Sequence, residues 1–406
     1  MLFSLEALNA AYGDALLLHY ATGRKRRRLL VDGGPPHCYA SVLSRRLGEL
    51  REQVTQGSAP LPLELILVSH FDDDHIRGIS DLLTGAEGKD GDLVASRSLW
   101  LNTFADLLDE HDELRLAAGL AHVPGIDKFA RAEDVEIARS AGDFDSELSV
   151  ARSGVDQARD VKRRAAELGI EVNDGAGGLV MAPAEPRTLP GGLRVTVIAP
   201  DETRIQRLRE LWNAESKDAA LAETFTERMA AAVAHYDDVS PANLASIVIH
   251  VRLKDKTMLL TGDARGDHIL DGLRAARLLG HGPGGALELD VLKLQHHGSN
   301  RNFEPGFFAS VRARHYVISA NGRYGNPETD TLELIAESRA DDDFSIVLTN
   351  HDSTEFDLPR RLDAFVEEQR AAGRRFTVRW RTDPALSIVV DAGDDSVPPR
   401  SHPTGT

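Results

Sequence analysis

Leu61–Gly78 reads LPLELILVSHFDDDHIRG, an apolar run that stops at Ser69 and opens into imidazole and carboxylate groups. The apolar part, Leu61–Val68, has the length and branching of a buried strand. Chain leaving such a strand is still nearly extended, so His70 and Asp72, two residues apart, point the same way. A turn at Asp74-His75 then brings two more ligand-type side chains round to a neighbouring point. One short loop thus feeds two adjacent metal sites. Imidazole suits zinc, iron and manganese, and the carboxylates harden the site. The Asp72-Asp73-Asp74 run is no EF-hand, because the glycine and distal glutamate of that loop are absent.

Upstream, Asp14–Tyr20 and Leu29–Asp32 are strand-like around a basic break at Arg24–Arg28, which predicts a hairpin with a solvated, edge-protecting tip. Residues 37–55 have helical spacing through Val42, Leu43, Leu47 and Leu50. Downstream the texture changes. Residues 80–190 are acidic and alanine-rich, with helical patterns at Thr103–Leu116 and Ser149–Leu168, and read as a mostly helical insertion. Strand character resumes at Leu193–Ile198, residues 202–237 read as helix, and Ser246–Leu253 with Thr257–Leu260 bracket a second hairpin turn. Val291–Leu294, Tyr316–Ser319, Ser345–Leu348 and Phe376–Trp380 are further strands alternating with helices. The expected organisation is one α/β domain over 1–390, with the insertion at about 80–190 and a flexible tail at 391–406.

Three later segments place polar groups where strands end, which is where open α/β architectures collect their sites. Thr261-Gly262-Asp263 offers a carboxylate able to bridge two metals. Gln295-His296-His297-Gly298-Ser299 follows the Val291–Leu294 strand, and Ser319-Ala320-Asn321-Gly322 leads on to Tyr324-Gly325-Asn326-Pro327. Asn350-His351-Asp352 is a candidate for the rim of the same site.

With His70-Phe71-Asp72-Asp73-Asp74-His75, Asp263 and His296-His297 in this order, the sequence resembles the metallo-β-lactamase-fold hydrolases. Their signature is His-x-His-x-Asp-His, a later bridging Asp and a late His. Gly13-Asp14, Val31-Asp32-Gly33-Gly34, Asn243–Ser246, Thr261–Asp263 and His296–Ser299 make it similar to the branch containing the hydrolase domain of bacterial competence DNA-uptake proteins. The resemblance spans roughly residues 10–350. It implies a four-layer αββα sandwich and, as ligands, His70, Asp72, Asp74, His75, Asp263 and one of His296 and His297. It also implies two divalent ions, with zinc first and manganese or iron tolerated, and a phosphoester substrate such as a nucleotide or single-stranded nucleic acid.

The departures carry information too. Asp72 stands where the second histidine is usual, which makes the ligand set more anionic. Arg77 replaces the first glycine after the His-x pair; it either pairs with a nearby Asp or grips an anionic substrate. Ala199 and Asn326 stand where relatives often carry histidine, removing one ligand and one proton donor. In the implied chemistry, Asp74 or Asp263 orients a metal-held hydroxide. The histidine of His296/His297 that is not a ligand, or Asn321, donates to the substrate, and Arg77, Ser299 and Asn326 line it.

Composition bounds the partners. Against 47 Lys+Arg stand 64 Asp+Glu, a net charge of −17, which disfavours long duplex DNA and anionic membrane. The single cysteine, Cys38, excludes an internal disulfide or a cysteine-based zinc cluster. No apolar run reaches the ~20 residues of a membrane span, and the N-terminus lacks a basic leader region, so the expected location is the cytoplasm. Two rival readings share these residues. One is a hydrolase of a carboxylic ester, thioester or lactam. The other is a partner or regulatory protein that keeps the fold and docks through the 80–190 insertion.

Overall fold

The structure is a computed structural model. It describes residues 1–85, 93–103, 157–176, 178–206, 245–280, 285–304, 306–339, 343–351 and 356–392, with the single residues 106, 243 and 353. Strands β1 (Leu2–Leu8), β2 (Leu16–Ala21), β3 (Arg27–Val31), β5 (Leu65–Leu67), β7 (Ser98–Trp100), β8 (Glu171–Val172) and β17 (Ser387–Asp391) form one mixed sheet in the order β17-β1-β2-β3-β5-β7-β8. The other runs β16-β15-β14-β13-β12-β11-β10-β9. Its strands are β9 (Arg187–Leu189), β10 (Leu193–Ala199), β11 (Val248–Leu253), β12 (Lys256–Leu260), β13 (Leu287–Lys293), β14 (Val311–Ile318), β15 (Phe344–Leu348) and β16 (Phe376–Trp380). A short pair, β4 (Leu61–Leu63) with β6 (Val94–Ser96), stands apart.

Period-two alternation sorts the side chains into layers. Phe3, Leu5, Ala7, Leu16 and Leu18 of the first sheet meet Ile249, Val251, Met258, Leu260, Val291 and Val317 of the second in one apolar layer. The opposite face of the first sheet, with Leu17, Leu30 and Ile66, packs against α1 (Ser44–Thr55) through Leu47 and Leu50 and α2 (Asp73–Gly85) through Ile76 and Ile79. Residues 157–167 are helical and add Ala158, Val161 and Ala165 to that layer. On the outer face of the second sheet lie α4 (Gly266–Ala275), α5 (Phe307–Ser310), α6 (Thr329–Ser338) and α7 (Leu358–Ala371), the helix at 157–167 being α3. The chain is therefore a four-layer αββα sandwich, as the motif resemblance implies.

Several local expectations need correction. Leu61–Val68 is not one strand. Glu64 breaks it, its amide donating to the Arg28 carbonyl at 2.9 Å and its carboxylate pairing with Arg27, so that β4 leaves the main sheet. The basic hairpin tip is shorter than expected, because Arg27 and Arg28 lie in β3 opposite Tyr20 and His19, and Arg28 is buried. β17 has no counterpart among the expected strands; it adds antiparallel to β1, so Asp391 belongs to a strand and not to a tail. The helical expectations for Thr103–Leu116 and residues 202–237, and the tail beyond 392, fall mostly or wholly outside the described residues.

His250 on β11 and His315 on β14 are buried, and both are pushed down to about 4, first by burial and then by neighbouring arginines. Both fold as neutral rings. Below the ordinary histidine value near 6.5 the unfolded chain takes up protons that the folded chain does not, so stability falls from about pH 6.5 toward pH 4. Each ring contributes on the order of 3 kcal/mol to that loss. Urea unfolding at pH 7 and at pH 4.5 measures it. His315→Asn is expected to flatten the pH slope, and an unchanged slope in that variant would sink the assignment.

Candidate metal centre

The connections after β1, β3, β5, β12, β13 and β14 meet at one edge of the sandwich, where their polar side chains touch. α2 begins straight after the β5 loop, with Asp73 and Asp74 in its first turn, where unpaired helix N–H groups favour carboxylates. The amides of His75 and Ile76 both donate to the Asp72 carbonyl, at 2.9 and 3.0 Å. The turn expected at Asp74-His75 is thus the first turn of a helix.

Its placement depends on two glycines. A methyl group on Gly78 would sit 1.9 Å from the Gly33 carbonyl oxygen, and one on Gly33 would sit 2.3 Å from the Ile79 nitrogen. α2 therefore rests directly on the backbone after β3, tied by Gly33 N to His75 O at 2.7 Å and Gly78 N to Gly34 O at 3.1 Å. Gly78→Ala is expected to cost about 2–3 kcal/mol by overpacking and to lower metal uptake by moving Asp74 and His75. Urea unfolding and metal analysis test this; parent-like values in both would contradict the close contact.

Around the edge, imidazole and carboxylate atoms converge. His70 Nε2 lies 3.6 Å from Asp72 Oδ2 and 3.9 Å from Asp263 Oδ2. His75 Nε2 is 3.4 Å from Asp263 Oδ1 and 3.8 Å from Asp74 Oδ2. His297 Nε2 is 3.3 Å from Asp74 Oδ2 and 3.6 Å from Asp263 Oδ2. Two overlapping groups, His70-His75-Asp263 and Asp74-His75-His297, each bring their ligand atoms within 4.8 Å of one another. They are able to hold one or two divalent ions.

The outer ring nitrogens fix which atoms point inward. His75 Nδ1 lies 2.9 Å from Asp32 Oδ2, and His297 Nδ1 lies 2.9 Å from the Ser319 carbonyl. Both partners only accept, so each Nδ1 carries the proton and each neutral ring turns a lone pair inward at Nε2. Those two Nε2 atoms are only 3.3 Å apart. Ser69 Oγ donates to Asp32 Oδ2 at 2.7 Å, which leaves it to accept from His70 Nδ1 at 3.0 Å. His70 Nε2 is then a third inward lone pair, and it is buried without a hydrogen-bond partner. Lone pairs and carboxylates aimed at one another require cations between them, either protons or metal ions. Burial alone favours neutral imidazole here, but Asp263 with Asp74 holds His75 well above its ordinary value. Asp263 with Asp14 likewise raises His297 to about 9. Asp74 and Asp263 are pulled down in turn, against burial, chiefly by His75. The donor set fits divalent ions, which would replace those protons.

Of the residues expected at the site, His70, Asp72, Asp74, His75, Asp263 and His297 are brought together. His296 is at the rim, its side chain 24% exposed, its Nδ1 on Asn302 Oδ1 at 2.9 Å and its Nε2 3.9 Å from Asp263. The two histidines part because both have left-handed backbone, with φ of 44° and 55°. Other residues have local tasks. Arg77 pairs with Asp81 at 3.3 Å, one turn along α2. Ser299 donates to Glu328 at 3.2 Å, and Asn321 accepts from the Arg323 amide at 3.1 Å. Asn326 Nδ2 lies 3.5 Å from the His296 carbonyl, so it backs the histidine loop. Ala199 is buried in the outer apolar layer, and His351 stacks on Trp380.

Four supporting residues have no role assigned from sequence: Asp14, Asp32, Ser69 and Lys293. Lys293 is fully buried, with Nζ 2.7 Å from Asp14 Oδ2 and donating to the Leu294 carbonyl at 2.9 Å. Asp14 Oδ1 is 3.5 Å from His297 Nδ1. Burial works to raise the Asp14 carboxyl, yet Lys293 together with His297 and His75 outweighs it and holds the value at about 2. Asp14 and Asp32 do sit in the strand-end segments quoted above; Lys293, inside an apolar strand, gives no signal.

The chain thus folds as a four-layer αββα sandwich that gathers, at one sheet edge, histidine and aspartate side chains able to hold a metal ion. No family model matches the chain, and no curated protein matches it. Among solved structures, it overlaps Zn(2+)-bound PqqB from Methylobacterium extorquens at 14% identity and TM-score 0.37, over 96% of this chain and 99% of that one. It also overlaps a point mutant of the CmlA beta-hydroxylase at 9% identity and TM-score 0.37, over 95% of this chain. The chain spans about half of that protein, 54% of its length.

Proposed function

We propose that the chain is a dinuclear metal-dependent hydrolase that cleaves phosphodiesters in a nucleotide or a single-stranded nucleic-acid end. The observation that carries this reading is the buried convergence of three imidazole lone pairs and the carboxylates of Asp72, Asp74 and Asp263. His70, Asp72, Asp74, His75, Asp263 and His297 would hold the ions. Three carboxylates among these ligands suit manganese or iron as well as zinc. When bound, such ions supply Lewis acidity and a water that ionises near neutral pH.

The chain's own groups do the rest. Asp74 and Asp263, deprotonated and facing the cluster, accept hydrogen bonds from a water and aim its lone pair. Asp72 and Asp74 are the less buried members, at 18% and 16%, and mark the side from which substrate approaches. His296 stands at the rim with its Nδ1–H on Asn302 Oδ1, so the Nε2 of its neutral ring would accept from a water or a substrate hydroxyl and the donor role expected of it is not available there. The phosphodiester preference rests on the motif resemblance to the competence DNA-uptake branch, and the net charge of −17 favours a small or single-stranded substrate over duplex.

Elemental analysis of the purified protein, followed by a panel of nitrophenyl phosphodiesters and carboxylesters, tests the reading. Uptake of about two ions per chain with phosphodiester turnover is the expected result. Turnover of carboxylesters alone would reassign the bond, and a protein that takes up neither zinc nor manganese would remove the hydrolase reading.

A further inference from the structure

Two loops that frame the metal cluster each present a tyrosine, and between these lies an arginine. The Arg323 guanidinium carbon is 4.8 Å from the Tyr12 ring centre and 5.3 Å from that of Tyr324. The two rings meet edge to face, with centres 6.0 Å apart. Tyr12 precedes Gly13, whose carbonyl accepts from Ser319 Oγ at 2.6 Å. A methyl group on Gly13 would lie 2.0 Å from the Asp74 carbonyl oxygen. The next residue, Asp14, reaches His297. On the other side, Tyr324 is two residues from Asn326, which backs His296. The trio is thus anchored to the metal loops from both sides.

Tyr324 is unusual in two independent ways. It is 47% exposed, and among the described residues it is the only aromatic of the exposed large apolar side chains, the others being Met1, Val54, Leu168 and Val389. It also has a left-handed backbone, φ 59° and ψ 13°, between Gly322 and Gly325, which are left-handed as well. A turn of this kind is normally filled by glycine or asparagine, and a bulky ring there is strained. Backbone strain of this sort, observed beside a reactive cluster, points to a use for the side chain.

We propose that Tyr324, braced by Arg323 and Tyr12, is a platform on which the base of a nucleotide substrate stacks while its phosphate lies toward the metal cluster. This rests on the phosphodiesterase reading above and names its substrate as one that carries a base. Stacking on an aromatic face is tolerant of base identity, because every base has a π-face, and a guanidinium among the rings strengthens it. The cation also lies beside the exposed ring in a strongly acidic chain, where it favours an anionic ligand.

The test is calorimetric titration of the manganese-loaded, full-length protein with thymidine 5′-monophosphate and with methyl phosphate, which lacks a base. The parent is expected to bind the nucleotide about tenfold or more tightly than methyl phosphate. Tyr324→Asn, which suits the left-handed backbone, should abolish that preference, and Tyr324→Phe should keep it. Equal binding of the two ligands by the parent, or a preference that survives in Tyr324→Asn, overturns the platform. A protein that loads neither manganese nor zinc shows separately in metal analysis and overturns the hydrolase reading; a loaded protein without nucleotide preference overturns only the platform.

Discussion

Asp263→Ala is expected to purify with less than half of the parent's metal and to lose phosphodiester hydrolysis by about 10³-fold or more. The loss is large because Asp263 faces the site from its centre. Its oxygens lie within 3.4–3.9 Å of nitrogens on His70, His75, His296 and His297, and the residue is 3% exposed. A residue that merely orients a ligand changes metal affinity by roughly 10–100-fold, and a shared ligand should exceed that. Removing it also leaves inward-facing imidazoles without the carboxylate that most strongly favours their charged form in the metal-free protein. Asp263→Asn keeps the volume and the fold but not the charge, so it separates ligand loss from collapse. Metal analysis, hydrolysis of a nitrophenyl phosphodiester and a thermal melt are measured together. An Asp263→Ala protein with parent-like metal content and rate would refute the site.

Lys293→Met is expected to destabilise the chain by about 3–5 kcal/mol, since it strips the counter-charge from a buried carboxylate. Lys293 and Asp14 are 0% and 1% exposed, 2.7 Å apart, on elements from opposite sheets. Methionine preserves the length and flexibility of the side chain, so packing changes little. Asp14 would then be an uncompensated charge beside His297. The double variant Lys293→Met/Asp14→Asn should recover much of the loss, because a neutral pair no longer carries the cost of a lone buried ion. Urea unfolding of the parent, both singles and the double closes the cycle. A Lys293→Met protein within about 1 kcal/mol of the parent would show that the ion pair does not matter.

The readable parts of the molecule are those with short-range signals. The Ser246–Leu253/Thr257–Leu260 hairpin appears as β11 and β12, and the late apolar runs appear as β13 to β16, because alternation and turn residues are local properties. The break at Glu64 escapes such a reading, since Glu64 is the single charged residue of the otherwise apolar LPLELILV and only pairing with Arg27 and Arg28 makes it a boundary. β17 escapes for a related reason. SIVVD is short, lies next to a polar tail, and is defined as a strand by β1 at the other end of the chain.

Ligand types and their placement after strands are legible along the chain, because these follow from residue chemistry and hydrophobic period, and the αββα plan is an implication of the motif resemblance they carry. The choice between His296 and His297 is not, since it takes left-handed backbone to turn one ring inward and leave the other at the rim. Packing of the two sheets likewise pairs Lys293 with Asp14 and Tyr12 with Tyr324 beside Arg323, and the pairing of β3 with β5 sets His75 against Asp32. Those contacts join residues far apart in the chain. Nothing in local sequence encodes the distance between two strand ends until both sheets are packed.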